Sequence, residues 1–330
     1  MRRREFIALL GGAAAHALPA AAQQQKRLPV VALVFIDIRD VADMAGPDPV
    51  FPVARAFVHG LRDLGWIDGR TVVIERHSSG NDPQRAPAIF AGLLARGADV
   101  IALGGARWLH EAALAATRTI PIVALFSEDP VAAGRIASLA RPGGNLTGVV
   151  QATGPEFFAK RLQLLLELAP RATRVAFLAP SGVLEQFRSV APPGGVTIVP
   201  VEIDVATQFD AAFATILRER ADSLMVGGSA VMYGNAERLV AFAAANRLPA
   251  MHAFREAVDG GGLMSYATNV PGIFRQMARL TARFLEGARP GDIPAELPVK
   301  FELVINLKTA AALGLAVPPS IMARADEVIE

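Results

Sequence analysis

The strongest constraint on this chain is a rhythm: short, nearly unbroken apolar runs alternate with longer segments of helical period, from residue 30 almost to the end. The runs lie at 30–35, 72–76, 100–104, 122–126 and 146–150, then at 174–179, 196–203, 223–227, 250–254, 263–267 and 301–305. Apolar residues at consecutive positions, rather than at alternate ones, suit strands covered on both faces. Helical segments fall between them at 53–64, 83–95, 106–117, 155–168, 209–220, 235–245 and 271–286, and alanine enriches 91–95 and 241–245. A chain that repeats strand and helix this often is α/β, built on doubly wound parallel sheets. Right-handed crossovers gather the loops after the strands along one edge of each sheet, where such sheets bind ligands.

At 330 residues the chain suits about two domains of ~150 residues, and the rhythm divides to match. Five runs precede residue 151, and four more lie between 174 and 254 before a glycine run at 260–262 interrupts the pattern. Extended stretches near 146–150, 263–267 and 296–301 let the chain pass three times between two lobes. Three crossings make a hinge with a preferred axis, whereas one linker would let two tandem domains tumble independently. The expected division is 23–148 plus 265–295 for an N-terminal lobe, and 149–264 plus 296–330 for a C-terminal lobe.

Residues 2–4 are arginines, 6–18 are mostly apolar and 20–22 are alanines. This is the plan of a secretory signal peptide over 1–22, cleaved near Ala22. Its opening RREFI also resembles a twin-arginine signal, and an ordinary Sec signal beginning with three arginines is the alternative. The apolar run is shorter than the ~20 residues that span a bilayer, so the expected product is soluble and periplasmic. The net charge of +2 resides wholly in this leader. A neutral remainder has no global field for nucleic acid or anionic lipid. Cysteine is absent, which excludes disulfides, thiolate-ligated metals and thiol catalysis.

Catalytic patterns fail one by one. No G-x-G-x-x-G follows a strand and no phosphate loop is present. His110-Glu111 opens a zinc-protease-like string that Leu114 breaks, and Gly227-Gly228-Ser229-Ala230-Val231 misses the G-x-S-x-G elbow at its last position. His59, His77, His110 and His252 lack metal spacing. No cofactor is expected.

The polar residues that stand out follow strand ends: Asp37 after the first, Gly105-Ala106-Arg107-Trp108 after the third, Ser127-Glu128-Asp129 after the fourth. Pro180-Ser181, Ser229 with Tyr233, and Arg255-Glu256 hold the corresponding positions in the second half. Hydroxyls and free N–H groups at helix N-termini can hold a small carboxylate. Each residue also has a structural reading. Ser127 and Asp129 suit helix caps, Arg107 suits a solvated charge as well as a carboxylate clamp, and Trp108 and Tyr233 suit core packing as well as a ligand wall. Arg255 and Glu256 suit a pair across the lobe boundary.

Several strings, in order, resemble the tryptophan/tyrosine-type substrate-binding proteins of ABC transporters. They are 2–12 (RRREFIALLGG), 60–69 (GLRDLGWIDG), 141–148 (RPGGNLTG), 160–170 (KRLQLLLELAP), 261–268 (GGLMSYAT), 300–315 (KFELVINLKTAAALGL) and 323–330 (ARADEVIE). The resemblance implies a type I periplasmic binding fold whose two lobes close over a small molecule, an amino acid or other small carboxylate. It also implies a monomer that delivers its ligand to an inner-membrane ABC permease driven by a cytoplasmic ATPase. The matching binding positions are Phe35, Asp37, Gly105, Ala106, Arg107, Ser127, Glu128 and Asp129 on one lobe. On the other they are Pro180, Ser181, Ser229, Tyr233, Phe254 and Arg255. Two departures keep tryptophan and tyrosine from being carried over as the substrate. Arg107-Trp108 replaces small residues after the third strand. The segment 180–195 is short and holds Ala191-Pro192-Pro193-Gly194-Gly195, which ends a helix early. A ligand sensor feeding a membrane receptor would use the same fold. An exported enzyme would need a titratable cleft pair, for which Glu128/Asp129 with His110 is the candidate.

Overall fold

The computed structural model describes residues 27–36, 38, 40–151, 154–298 and 301–330. The signal peptide expected over 1–22 and Asp37 lie outside them. Five strands form the first sheet, in the order β2-β1-β3-β4-β5: β1 Val30–Phe35, β2 Val73–Ser78, β3 Val100–Leu103, β4 Ile122–Phe126 and β5 Leu146–Val150. All its pairings are parallel. β1, β3, β4 and β5 are buried along their whole length, because helices cover both faces; this is why they read as unbroken apolar runs. Gly148 in β5 lies against the backbone of Ala124 in β4, where a Cβ would overlap the Ala124 carbonyl.

The second sheet has seven strands in the order β12-β11-β10-β9-β8-β6-β7. They are β6 Arg174–Ala179, β7 Thr197–Glu202, β8 Ser223–Val226, β9 Ala250–His252, β10 Met264–Thr268, β11 Phe301–Asn306 and β12 Glu327–Ile329. β7 is the edge strand and alternates between buried and exposed residues, which lets it carry Pro200. This sheet departs from the expected parallel arrangement in one pairing: β11 runs antiparallel to β10, with Tyr266 opposite Leu303. β12, which the apolar pattern did not announce, pairs parallel to β11.

Twelve α-helices are among the described residues: α1 Pro52–Asp63, α2 Ala86–Ala95, α3 Arg107–Ala116, α4 Pro155–Leu168, α5 Ser181–Phe187, α6 Phe209–Arg218, α7 Ala230–Gly234, α8 Ala236–Ala245, α9 Arg255–Asp259, α10 Val270–Leu285, α11 Leu307–Ala312 and α12 Pro319–Met322. Prolines stand in the first turns of α1, α2, α4 and α10, where the missing N–H costs nothing. α5 stops after seven residues, the early stop expected before the Pro-Pro-Gly-Gly stretch.

α10 decides the architecture. Asn269 caps it by accepting a hydrogen bond from the Gly272 N–H at 2.8 Å, and its buried stripe of Ile273, Phe274, Met277 and Ala278 lies against α1 and the first sheet. The chain therefore leaves the second sheet after β10 to complete the first lobe. The boundary expected at residue 265 falls inside β10, all of whose residues belong to the second sheet, so the passage back follows Thr268. Residues 293–296 then run beside β5: Thr147 Oγ1 donates to the Ile293 carbonyl at 2.9 Å, and the Val150 N–H to the Glu296 carbonyl at 2.8 Å. From there the chain returns to β11. Two strands of chain and one helix entry thus join the lobes.

Candidate functional site

The lobes meet at the C-terminal ends of their strands, and they are closed on each other. The Ala230 N–H of α7 donates to the Gly105 carbonyl at 3.2 Å. Glu128 after β4 lies against Gly182 in the first turn of α5, at a spot a Cβ would fill. Gly228 after β8 faces Gln151 after β5, with space for a Cβ only 3.0 Å from Gln151 Oε1. The apolar core runs continuously from the first lobe into one face of the second sheet.

Two adjoining voids remain between the lobes. The outer one is walled on the first lobe by Gly105, Ala106, Arg107, Trp108, Ser127 and Glu128, and on the second by Pro180, Gly182, Val183, Asp204, Ser229 and Val231. The inner one, nearer the hinge, is walled by Ser127, Gln151, Phe157, Phe158, Arg161, Val183, Gly228, Ala253, Ala267 and Thr268. They offer about 30 Å³ and 10 Å³ to the centre of a water molecule, room for about two waters and one. A metabolite enters only if the lobes part.

Eight residues singled out in the sequence converge on the outer void: Gly105, Ala106, Arg107, Trp108, Ser127, Glu128, Pro180 and Ser229. Their electrostatic roles differ from expectation. Glu128 forms an ion pair with Arg135, whose side chain is 7% exposed against 10% for Glu128. Arg107 opens α3 with its side chain 54% exposed and donates from Nε to Glu111 at 3.0 Å, which raises its pKa. It stands at the rim, already engaged. Ser229 caps α7, its Oγ accepting from the Met232 N–H at 3.3 Å.

Asp129, Ser181 and Arg255 are among the residues not brought to the voids. Asp129 takes the capping reading, with Oδ1 accepting the N–H groups of Val131 (2.8 Å) and Ala132 (3.2 Å). Ser181 donates to Asp204 through its N–H (3.2 Å) and its hydroxyl (3.3 Å). Arg255 corrects the expected pair with Glu256: it reaches outward to Glu327 at 2.9 and 3.0 Å and to Asp259 at 3.3 Å. Glu256 turns the other way and accepts the Tyr233 hydroxyl at 3.2 Å. Burial pushes the pKa values of both members of that pair upward.

Phe35, Tyr233 and Phe254 form an aromatic bridge beside the voids. Phe35 stacks on Phe274 at 5.4 Å and meets Phe51 edge-on at 5.3 Å. Phe51 contacts Tyr233 of the other lobe at 6.3 Å, and Tyr233 meets Phe254 at 5.1 Å. These rings pack the lobes together.

The pair considered for an exported enzyme is not assembled. His110 is buried edge-on to Phe126, and burial, reinforced by the Arg135 charge, holds its pKa down at about 3. Its Nδ1 lies 3.4 Å from Arg135 Nη1, so the guanidinium stands between the histidine and Glu128.

Two arginines at the site escaped the sequence reading, Arg135 and Arg161. Arg161 of α4 is 1% exposed. Its Nη2 donates to the Val226 carbonyl at the end of β8 (2.7 Å) and the Met251 carbonyl in β9 (3.3 Å). Its Cζ lies 5.6 Å from the Phe157 ring centre, and its Nε is buried without a partner. Among the described residues no carboxylate pairs with it, and burial alone lowers its pKa to about 9. The signal was available: Arg161 interrupts the buried helical stripe Phe158, Leu162, Leu165, Leu168 at a position where an apolar residue belongs.

Two α/β lobes on parallel-dominated sheets, joined by three passages of chain and closed over voids lined from both sides, define a clamshell binding protein of the type I periplasmic fold. The chain belongs to the family described as ABC transporter substrate binding protein, whose profile matches residues 47–329. It is 24% identical over 267 residues to a tyrosine-binding protein of Clostridioides difficile, covering 79% of this chain and 76% of that one. Among solved structures it overlays the ABC domain in complex with L-Trp from Streptococcus pneumonia with a TM-score of 0.79, at 21% identity, over 92% of this chain and 100% of that one. Against the ligand-free, open structure of a substrate-binding protein with adhesive properties from Clostridium difficile the TM-score is 0.61, at 20% identity, over 92% and 99%.

Proposed function

We propose that this protein is the periplasmic solute-binding component of an ABC importer. It takes an amino acid or other small carboxylate between its lobes and hands it, as a monomer, to a permease in the inner membrane powered by a cytoplasmic ATPase. The observation that carries this reading is the closed interlobe site, where loops after β3, β4 and β5 of one lobe face loops after β6, β8 and β9 of the other. A ligand that touches both walls binds the closed form better than the open one, and that difference is what drives closure. The tyrosine and L-Trp of the two relatives make these the first compounds to try. The leader expected over 1–22 supports export, and no helix among the described residues is long and apolar enough to cross a membrane.

Native mass spectrometry of protein purified without denaturation identifies any mass that travels with it. Small-angle scattering then follows the protein stripped of that compound and resupplied with it. A fall in radius of gyration on resupply supports the reading. An unchanged curve for every copurified compound, with chemically altered product in solution, refutes it.

A further inference from the structure

We infer that Arg161 is the counter-charge for the ligand's carboxylate, at the hinge end of the interlobe cleft. This rests on the reading of the cleft as the ligand site and adds the chemical group that the ligand must present there.

Charge balance singles Arg161 out. Among the basic groups around the two voids, Arg107 is engaged by Glu111 and Arg135 by Glu128. Arg161 has only the two carbonyls of Val226 and Met251. A guanidinium carries five N–H donors in a planar fork. Here Nη2 is used, Nε is buried and unpaired, and Nη1 makes no hydrogen bond among the described residues. The unused donors belong to a side chain that walls the inner void. Burying an unpaired cation is expensive, and a charge kept in such a place normally has an ionic partner.

The neighbours do not supply that partner. His252, fully buried, is held neutral by burial and by the arginine's own charge, its pKa down at about 4. The inner wall is completed by Ser127, Gln151, Thr268 and the Phe157 ring, with no carboxylate among them. Thr268 Oγ1, also buried, has no partner. A ligand carboxylate placed there would take the guanidinium's free edge and the threonine hydroxyl together. It would also face Ser127 and Gln151 of the first lobe across the inner void, and an anion that bridges the lobes in this way favours the closed form.

The test pairs compounds that differ only in this group. L-Tyrosine and tyramine, L-tryptophan and tryptamine, and 3-phenylpropionate and its amide are measured by titration calorimetry and thermal shift. The proteins are wild type, Arg161→Gln and Arg161→Lys. Scattering checks closure for each compound. For wild type, at least one acid binds 10- to 100-fold more tightly than its partner lacking the carboxylate, the range for a charge-assisted hydrogen bond. Arg161→Gln, which keeps an amide donor but no charge, loses that preference, and Arg161→Lys keeps part of it. A merely structural arginine would change affinity for both members of a pair alike and leave their ratio intact. If compounds bind and close the lobes but acids and their partners bind equally to wild type, the inference is overturned while the cleft reading stands. The wild-type comparison decides this even should a variant fail to fold. If Arg161→Gln folds and keeps the wild-type ratio, the inference is likewise overturned. If no compound binds or closes the lobes, both fall.

Discussion

Gly182→Ala separates closure from folding in a single substitution. Gly182 sits in the first turn of α5, so alanine there favours the helix by up to ~1 kcal/mol over glycine. The new methyl would overlap Glu128 Oε2 across the interlobe contact. That carboxylate is not free to swing away, because it is held by Arg135 in a pair whose side chains are 10% and 7% exposed. Breaking such a pair costs ~3–5 kcal/mol. The cheaper escape is for the lobes to part, which also lets water back to the pair. At ~1.4 kcal/mol per factor of ten, losing ~3 kcal/mol from the closed form lowers its population, and hence the apparent ligand affinity, by about a hundredfold. The opposing helix term is too small to offset this. The expected result is an unchanged or slightly raised Tm without ligand, a radius of gyration that stays large when the copurified compound is added, and a Kd about a hundredfold weaker by calorimetry. A variant that closes normally and binds within twofold of wild type refutes the reasoning.

Other consequences are equally direct. Glu128→Ala leaves Arg135 buried and alone, so unfolding should become easier by ~3 kcal/mol, a Tm fall of roughly 6 °C or more by calorimetry; a loss below ~1 kcal/mol would mean that the pair is well solvated. His110 and His252 have folded pKa values of about 3 and about 4, both below the unfolded value of 6.5. The unfolded chain therefore takes up protons first as pH falls, and stability present above pH 6.5 drains away toward those lower values. At ~1.4 kcal/mol per pH unit per histidine, the two together should cost roughly 4 kcal/mol between pH 7 and 5, and urea melts of His252→Gln should show about half that dependence. Arg255→Ala removes a partly exposed pair with Glu327 that lines neither void, so it should change stability by no more than ~1 kcal/mol and ligand affinity not at all.

What the sequence disclosed and what it withheld follow from the same physics. Strands buried on both faces announce themselves, and β1, β4, β5 and β6 lie where unbroken apolar runs placed them. Burial carries no direction, however, so the antiparallel run of β11 against β10 was invisible. β12 is three half-exposed residues at a sheet edge and has no pattern to read. Loops after strands were legible as a class because an α/β sheet sends them all to one edge, and eight of the residues picked there do line the cleft. Their partners were not legible. Arg135 stands seven residues beyond Glu128, past the turn that Asp129 caps. Arg255 was expected to pair with its neighbour in sequence, but on a helix adjacent residues point apart, and Glu327 arrives from the end of the chain. Arg161 becomes legible only when its place within an apolar helical stripe is weighed.

The placing of α10 has a consequence for how the protein is made. The stripe formed by Ile273, Phe274, Met277 and Ala278 completes the first lobe, yet it is translated after every strand of both sheets except the last two. Throughout synthesis the nascent first lobe carries a raw apolar scar that nothing upstream can dress. Neither half is a continuous stretch of sequence, so no proteolytic fragment or truncated gene yields one half whole. Folding is in effect deferred until most of the chain has emerged, which gives chaperones a long interval in which to hold it.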